Sequence, residues 1–337
     1  MIFPKNIKHG DSIGVVATSN GIVDPLKEKR VKNAALNLRN AGYEVIFTGN
    51  VFTADEFGRS SSGDVKGKQF NDLISNPDVT AILAPSGGET LMEMLDYVDF
   101  EKVKENPKWF EGFSDNTGLV FPIVTKCDIA AIYGCHISDF GMKPWEDCVK
   151  NALGILEGNI KTQNSFEYHE DDFHDYETGL EGYWKDKKVN WVNARGEDEI
   201  NISGRLIGGC LDVIKFLLGT KYDGTSEFIE KYKDDGIIWA LETFAMSDDD
   251  IISHLWQMRE LGYFKYTKGF VIGREMFYES MREIEFKEAV MMAIGDLDVP
   301  IIFDADIGHK GPQFSWIMGA KAEITSKDGK GTLTYID

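Results

Sequence analysis

The stretch Lys108-Trp109-Phe110-Glu111-Gly112-Phe113-Ser114-Asp115-Asn116-Thr117-Gly118 is the point around which the rest of the chain is organised. Its first half is an apolar, aromatic run suited to a buried strand, and this run ends at Gly112. The residues from Ser114 to Thr117 are of the types that commonly cap helices, so a helix is expected to begin there. Ser114 is therefore predicted to lie on a tight turn between a strand and a helix.

Such a turn would expose the Ser114 hydroxyl. The side chain would stand above the edge of a sheet, next to the free N–H groups and the positive dipole end of a helix, where an oxyanion can be stabilised. The arrangement resembles a nucleophile elbow, although Asn116 stands where the usual Gly-x-Ser-x-Gly pattern has its second glycine. A serine that only caps an ordinary helix is the alternative interpretation.

Composition indicates a soluble globular protein. The chain has 337 residues, 42% of them hydrophobic, which is enough for about two domains. Its formal net charge of -20 disfavours nucleic acid and membrane surfaces as partners. The start Met1–Lys5 lacks the apolar core of a signal peptide, so the cytoplasm is the expected compartment. The cysteines lack metal-like spacing and are interpreted as buried packing residues.

Strand and helix signals alternate along residues 1–142, which are predicted to form an N-terminal domain. Strands are predicted at 12–17, 44–48, 80–84, 109–112 and 130–133, and helices at about 25–40 and 64–75. This alternation predicts a parallel sheet with helices on both faces, in which ligands bind beyond the carboxyl ends of the strands. Both Gly87-Gly88 and Ser114 follow such strand ends.

Residues 143–200 interrupt this rhythm with acidic and aromatic residues, and they are predicted to form a linker and substrate loop. Regular signals resume in residues 201–337, which are assigned to a C-terminal domain. Strands are predicted at 202–206, 236–241, 269–272 and 299–303, helices at 211–218 and 248–261, and a hairpin at 321–336. A break in regular structure is expected at Gly208-Gly209.

Two further strand ends carry residues that could act together with Ser114. Glu242 ends the apolar run 237–241, where a buried carboxylate requires a cation or a donor. His309 follows the run 300–303 on a glycine-bearing loop, although a lone histidine of this kind can also be purely structural. The chain order Ser, Glu, His matches one known triad, in which the carboxylate orients the histidine and the histidine takes the serine proton.

Five motifs then resemble, in order and over nearly the whole chain, the LD-carboxypeptidase family of serine peptidases: Gly10–Ala17, Gly87-Gly88, Gly112–Asp115, Gly204–Gly209 and Gly308-His309. The resemblance implies an α/β fold with a flavodoxin-like parallel sheet in the N-terminal domain and a smaller C-terminal α/β domain. It also implies a catalytic triad of Ser114, Glu242 and His309, an oxyanion hole from the backbone N–H groups of Gly88 and Asp115, no cofactor and a homodimer.

Within the family, Ile207–Asp212 and the tryptophan-bearing middle segment are more similar to the microcin C self-immunity branch than to the murein-recycling branch. The implied reaction is cleavage of an amide-type bond in an aminoacyl nucleotide. The alternative is removal of the terminal D-alanine from a murein tetrapeptide. A non-catalytic ligand-binding protein on the same scaffold is the second alternative. Cys210 replaces a frequent asparagine of the family, which leaves the triad intact but leaves the substrate open.

Four residues are predicted to contact substrate: Gly87, Trp184, Trp191 and Arg274. Two tryptophans seven residues apart in a charged stretch do not fit one buried face, so at least one ring is expected to stack on a flat base. The alternative is that both rings anchor the loop. Arg274 could hold a substrate carboxylate through its fork geometry, with ion pairing inside the protein as the alternative.

Asp304 and Asp306, close to His309, could suggest a metal site. Alternate acidic residues at the end of a strand are more typical of caps and of acceptors for backbone N–H groups. No metal is therefore expected.

Overall fold

The computed structural model describes residues 1–336 and contains two main sheets and a short two-stranded one. The strands are β1 (Ser12–Val15), β2 (Glu44–Phe47), β3 (Val79–Leu83), β4 (Trp109–Gly112), β5 (Ala131–Tyr133), β6 (Thr162–Asn164), β7 (Tyr168–His169), β8 (Lys187–Lys188), β9 (Val192–Asn193), β10 (Glu199–Cys210), β11 (Ile237–Glu242), β12 (Thr267–Gly273), β13 (Ile301–Ala305), β14 (Trp316–Met318), β15 (Lys321–Lys327) and β16 (Lys330–Tyr335). The α-helices are α1 (Pro25–Asn40), α2 (Gly63–Ser75), α3 (Phe100–Glu105), α4 (Thr117–Thr125), α5 (Asp147–Leu156), α6 (Leu211–Leu217), α7 (Thr225–Lys231), α8 (Asp248–Glu260) and α9 (Phe286–Ile294). None of the helices in this part of the chain is both long and apolar enough to cross a membrane.

The first sheet has the strand order β14-β5-β4-β3-β1-β2. Its strands β1 to β5 are parallel and follow the 2-1-3-4-5 order of the flavodoxin-like fold. This confirms the fold class predicted from the sequence. β14 returns from the C-terminal part of the chain and pairs antiparallel with β5.

The second sheet has the strand order β6-β16-β15-β10-β11-β12-β13-β9. Its centre, β10 to β13, is parallel, and antiparallel strands flank it on both sides. Both edge strands, β6 and β9, come from residues 143–200. The segment predicted as a linker and substrate loop thus contributes strands to the second sheet, and β14, from the predicted C-terminal domain, joins the first sheet.

Helix α1 shows why local signals predicted the N-terminal part well. Asp24 accepts hydrogen bonds from the backbone N–H groups of Leu26 (3.0 Å) and Lys27 (2.9 Å), and Pro25 opens the helix. Such a cap satisfies donors that the first helical turn leaves free, and proline at this position sacrifices no intrahelical bond. The helix ends at Asn40, as the sequence predicts.

Strand β10 corrects the prediction of a break at Gly208-Gly209, because the strand continues through both glycines to Cys210. A Cβ atom on Gly208 would lie 1.9 Å from the carbonyl oxygen of Ala240 on the neighbouring strand. A Cβ atom on Gly209 would lie 2.9 Å from the side chain of Thr117, at the start of α4. The two glycines therefore allow close packing inside the strand and do not end it.

Helix α4, which follows Ser114 directly, lies at the junction of the two parts. All nine of its residues are buried, as expected for a helix that is apolar on every side. It contacts β4 and β5 of the first sheet and β10 of the second. The turn before α4 is thereby held between the carboxyl ends of both parallel sheets.

Candidate active site

Ser114 lies on the turn between β4 and α4, as the sequence predicts. Its φ of 62° is in the left-handed region, which residues with a Cβ atom rarely adopt. Its backbone N–H donates to the Tyr133 hydroxyl at 3.0 Å. Gly87 faces it, and a Cβ atom there would lie 2.9 Å from Ser114 Oγ. The turn thus presents the hydroxyl towards a loop that only glycine can bring so close.

Three of the predicted residues come together at this turn. His309 Nε2 lies 2.9 Å from Ser114 Oγ, and His309 Nδ1 lies 2.9 Å from Glu242 Oε2. Glu242 ends β11, and His309 follows β13 on the loop that contains Gly308. A Cβ atom on Gly308 would lie 2.8 Å from Glu242 Oε2, so this loop needs glycine to bring the imidazole against the carboxylate.

Electrostatics keep Glu242 ionised. Complete burial alone would raise the pKa of this carboxyl, but the interactions with His309, Tyr133 and Cys210 outweigh burial and lower it. Because an ionised carboxylate only accepts hydrogen bonds, the proton between Glu242 and His309 belongs to His309 Nδ1. In neutral His309, Nε2 is then an acceptor for the Ser114 hydroxyl.

The loop with Gly87 and Gly88 is fastened to the turn through Asp115. Ser19 Oγ donates to Asp115 Oδ2 at 2.5 Å, and the backbone N–H of Leu91 donates to the same oxygen at 2.9 Å. Burial raises the pKa of the Asp115 carboxyl, and these donors oppose that rise. Gly88 has a φ of 145°, and its backbone N–H donates to no acceptor within residues 1–336. This N–H group is available to a ligand beside Ser114.

A cavity of about 1120 Å³ opens above Ser114 and is lined by loops from both sheets. Its wall beside the imidazole is aromatic: the ring centroids of Phe244, Phe113 and Phe173 lie 4.5, 5.3 and 6.5 Å from that of His309. Gly87, Gly88 and Asp115 also line the cavity. The space is large enough for a ligand of nucleotide size.

Phe173 and Phe244 were missed at the level of sequence. Phe173 belongs to the middle segment and is 53% exposed, whereas Phe244 stands only two residues after Glu242. The position of an aromatic residue two places after a strand-end carboxylate was the available signal for Phe244. No comparable signal separates Phe173 from the other aromatic residues around it.

Trp191 is a correction, because the structure buries it away from the cavity. Only 2% of its surface is exposed, and its ring lies 5.8 Å from that of Phe314. Its indole N–H donates to Asp306 Oδ2 at 3.2 Å. The charged residues Lys187 and Lys188 stay exposed on β8, so the indole enters the core without them. Trp191 therefore anchors the segment in the core, which is the alternative role that the sequence left open.

Trp184 also lies outside the cavity lining. Its ring stacks on His174 with a centroid distance of 4.9 Å and an interplanar angle of 12°. Its backbone N–H donates to Glu170 at 2.9 Å. With one face already covered by His174, the ring belongs to the packing of the middle segment. The prediction of a substrate contact by Trp184 is not supported by this position.

Arg274 is the third predicted substrate contact that the structure places in internal contacts. It is 5% exposed, pairs with Asp306 at 2.9 Å, and donates to the carbonyl oxygens of Lys310 (2.8 Å) and Pro312 (3.3 Å). These contacts hold the loop that carries His309. The guanidinium is therefore engaged in ion pairing inside the protein, which is the alternative that the sequence left open. Asp304, the other acidic residue there, pairs with Lys287 at 2.5 Å.

Fold and site together define a two-sheet α/β protein with a hydrogen-bonded Ser-His-Glu series at the sheet ends. The model of the LD-carboxypeptidase N-terminal domain matches residues 13–134, and that of the C-terminal domain matches residues 203–324. The chain belongs to the LD-carboxypeptidase family, which confirms the resemblance seen in its motifs.

Its relatives include a putative carboxypeptidase and a microcin self-immunity protein. The Bacillus subtilis protein named Putative carboxypeptidase YocD is 28% identical over 100% of this chain and 99% of its own length. The Microcin C7 self-immunity protein MccF of Escherichia coli is 23% identical over 94% of this chain and 90% of its own length.

Solved structures share the fold across the whole chain. Wild-type MccF without ligand has a TM-score of 0.82 at 19% identity, covering 100% of this chain and 99% of that one. An MccF-like protein from Bacillus anthracis has a TM-score of 0.81 at 26% identity, covering 99% of both chains. Muramoyltetrapeptide carboxypeptidase from Oxalobacter formigenes has a TM-score of 0.72 at 19% identity, covering 97% of this chain and 99% of that one.

Proposed function

We propose that this protein is a serine hydrolase that cleaves an amide bond, with Ser114 as nucleophile, His309 as general base and Glu242 as the group that orients His309. One observation carries the proposal. His309 has its two ring nitrogens 2.9 Å from Ser114 Oγ and 2.9 Å from Glu242 Oε2, so a proton can pass from the hydroxyl to an imidazole that is already held in the required tautomer.

The reaction has two halves. Ser114 Oγ attacks the amide carbonyl while His309 Nε2 takes its proton, and the imidazolium then gives that proton to the leaving nitrogen as the C–N bond breaks. An acyl-enzyme ester on Ser114 remains. Water, deprotonated by His309, attacks this ester, and the proton returns to Ser114 as the acid is released. The Glu242 carboxylate stabilises the imidazolium in both halves.

We assign the oxyanion hole to the backbone N–H groups of Gly88 and Asp115. Negative charge develops on the carbonyl oxygen during attack, and preorganised N–H donors beside the nucleophile stabilise it. The free N–H of Gly88 and the hydrogen bonds from Ser19 and Leu91 to Asp115 support this assignment, because they fix the two loops against each other.

For the substrate, we favour an aminoacyl nucleotide. Two features support this choice: the volume of about 1120 Å³, and the phenylalanine wall beside His309, on the side where the leaving group receives its proton. Structures of MccF in complex with glutamyl sulfamoyl guanosine and with aspartyl sulfamoyl adenosine belong to the same fold. We further infer that the protein is a cytoplasmic homodimer. Light scattering of the purified protein tests the oligomeric state.

Competing substrates test the proposal. Hydrolysis of aspartyl and glutamyl sulfamoyl adenosine is compared with release of D-alanine from an LD-tetrapeptide, by liquid chromatography, for the wild type, Ser114→Ala and the control Ser253→Ala on the exposed face of α8. We expect a higher kcat/KM for the sulfamoyl adenosines in the wild type and the control. Faster release of D-alanine would transfer the assignment to murein peptides. Binding without turnover of either would indicate a ligand-binding protein.

A further inference from the structure

Ser114, Tyr133, Glu242 and His309 form a closed ring of hydrogen bonds. The backbone N–H of Ser114 donates to Tyr133 Oη, and Tyr133 Oη–H donates to Glu242 Oε1. Glu242 Oε2 accepts from His309 Nδ1, whose Nε2 returns to Ser114 Oγ. Tyr133 is thus the one member of the ring outside the proposed triad.

We propose that Tyr133 is a positioning residue that holds the Ser114 turn and the Glu242 carboxylate in register with each other. This inference rests on the proposed function, since it concerns the same site. Tyr133 ends β5, next to β4, and therefore belongs to the first sheet, whereas Glu242 ends β11 of the second. Its hydroxyl joins the half of the site that carries the nucleophile to the half that carries the carboxylate.

The direction of each hydrogen bond follows from the donors present. A backbone N–H can only donate, so the Tyr133 oxygen accepts from Ser114. The single phenolic hydrogen is then free to go to Glu242, which as a carboxylate can only accept. Tyr133 is completely buried. Its hydroxyl therefore accepts a hydrogen bond from Ser114 and donates one to Glu242.

At Ser114, this bond acts on the strained part of the turn. The φ of 62° points the Ser114 N–H towards β5, away from any partner in its own turn. Without the phenol oxygen, the N–H would lose this partner, and the left-handed conformation would lose a stabilising contact. The direction of Ser114 Oγ towards His309 depends on that conformation.

At Glu242, the phenol hydroxyl supplies one of the donors that keep the carboxylate ionised. The titratable groups that face Glu242 are Tyr133 from β5, Cys210 from β10 and His309 from the loop after β13, with Asp212 next to Cys210. Removal of the phenol hydroxyl favours the protonated form of the Glu242–His309 pair. The acid limb of the pH–rate profile should then move to higher pH.

Tyr335 offers a matched control. It is also a buried tyrosine, and its hydroxyl accepts from the backbone N–H of Ile317 at 2.9 Å and donates to the carbonyl oxygen of Ser315 at 2.6 Å. Its replacement by phenylalanine likewise removes one accepted and one donated hydrogen bond. Tyr335 contacts no member of the ring. The Tyr335→Phe variant therefore shows the effect of losing two buried hydrogen bonds without any change in the position of Ser114 or Glu242.

The test compares wild type, Tyr133→Phe and Tyr335→Phe at a temperature at which circular dichroism shows all three folded. The rate of labelling of Ser114 by a fluorophosphonate is measured from pH 5 to pH 9, together with kcat and KM on the preferred substrate. We expect Tyr133→Phe to lower the labelling rate and kcat by about ten- to a hundred-fold, to leave KM within about two-fold, and to move the acid limb to higher pH. Tyr335→Phe should keep the wild-type profile.

A Tyr133→Phe profile equal to that of wild type or of Tyr335→Phe would overturn the inference. If Tyr133→Phe does not fold, 3-fluorotyrosine at position 133 replaces it. Its more acidic hydroxyl keeps both hydrogen bonds and should move the acid limb to lower pH, and an unchanged limb would overturn the inference. Failure of the wild type itself to react with the fluorophosphonate would instead contradict the proposed function.

Discussion

His309 Nε2 lies 2.9 Å from Ser114 Oγ, although 195 positions separate the two residues in the chain. The contact joins the carboxyl end of a strand in the first sheet to a loop after a strand in the second. Both sheets therefore have to be in place before the site exists. The predictions below separate the groups proposed to take part in chemistry from those that only hold the loops.

Ser114→Ala should abolish turnover while the protein stays folded. Loss of a covalent triad member removes the acyl-enzyme route, and a decrease in kcat of about 10⁴-fold or more is expected. Hydrolysis of the preferred substrate under single-turnover conditions measures the change. Activity within ten-fold of wild type would exclude Ser114 as the nucleophile.

Ser114→Gly should be more stable than Ser114→Ala, because glycine adopts the φ of 62° without steric cost. Removal of the Cβ atom from a residue in the left-handed region should increase the free energy of unfolding by about 1 kcal/mol. Calorimetric melting of the two inactive variants, which share the loss of the hydroxyl, measures the difference. Equal melting temperatures would mean that the turn carries no such strain.

Arg274→Ala should destabilise the protein by about 3 to 5 kcal/mol, because it leaves the completely buried Asp306 without its cation. Urea unfolding measures this loss. The matched control is Arg39→Ala, whose partner Glu44 is exposed, and it should change stability little. A stable Arg274→Ala variant that loses only substrate affinity would restore the role in carboxylate binding.

Phe173→Ala should raise the KM for an aminoacyl sulfamoyl adenosine about ten-fold and change hydrolysis of a small peptide amide little, since stacking on an aromatic face is lost. Trp184→Ala, in the same segment but outside the cavity, serves as the control and should leave both substrates unaffected. Steady-state kinetics on the two substrates distinguish the variants. A larger effect of Trp184→Ala would return the stacking role to the tryptophan.

Glu111→Gln should stabilise the protein increasingly as pH rises. Burial, followed by the nearby Asp139 carboxylate, raises the pKa of Glu111 well above its ordinary value, while Ser315 opposes the rise. The stability gained from binding this proton is complete below the pKa of the unfolded chain and is lost as pH rises through that of the folded chain. Unfolding of both proteins at pH 5 and pH 8 measures the trend, and a difference that shrinks at pH 8 would contradict it.

Sequence reasoning succeeded where local chemistry decides the structure. The Asp24-Pro25 cap fixes the start of α1, and apolar runs that end in a polar residue placed Glu242 and His309 at strand ends. It failed where a distant partner decides. Strand β10 continues through Gly208 because the backbone of Ala240 packs against it. Trp191 is buried because its ring packs on Phe314 and its indole N–H donates to Asp306. The pairing of β14 with β5 in the first sheet likewise cannot be predicted from a local sequence pattern.

The most direct test of the central claim is the site of covalent labelling by a fluorophosphonate, identified by mass spectrometry of proteolytic peptides. The nucleophilic role of Ser114 predicts one adduct per chain, located on Ser114, with none in Ser114→Ala and a much slower reaction in His309→Ala. An unlabelled wild type, or an adduct that persists on another residue in Ser114→Ala at the same rate, would contradict the account.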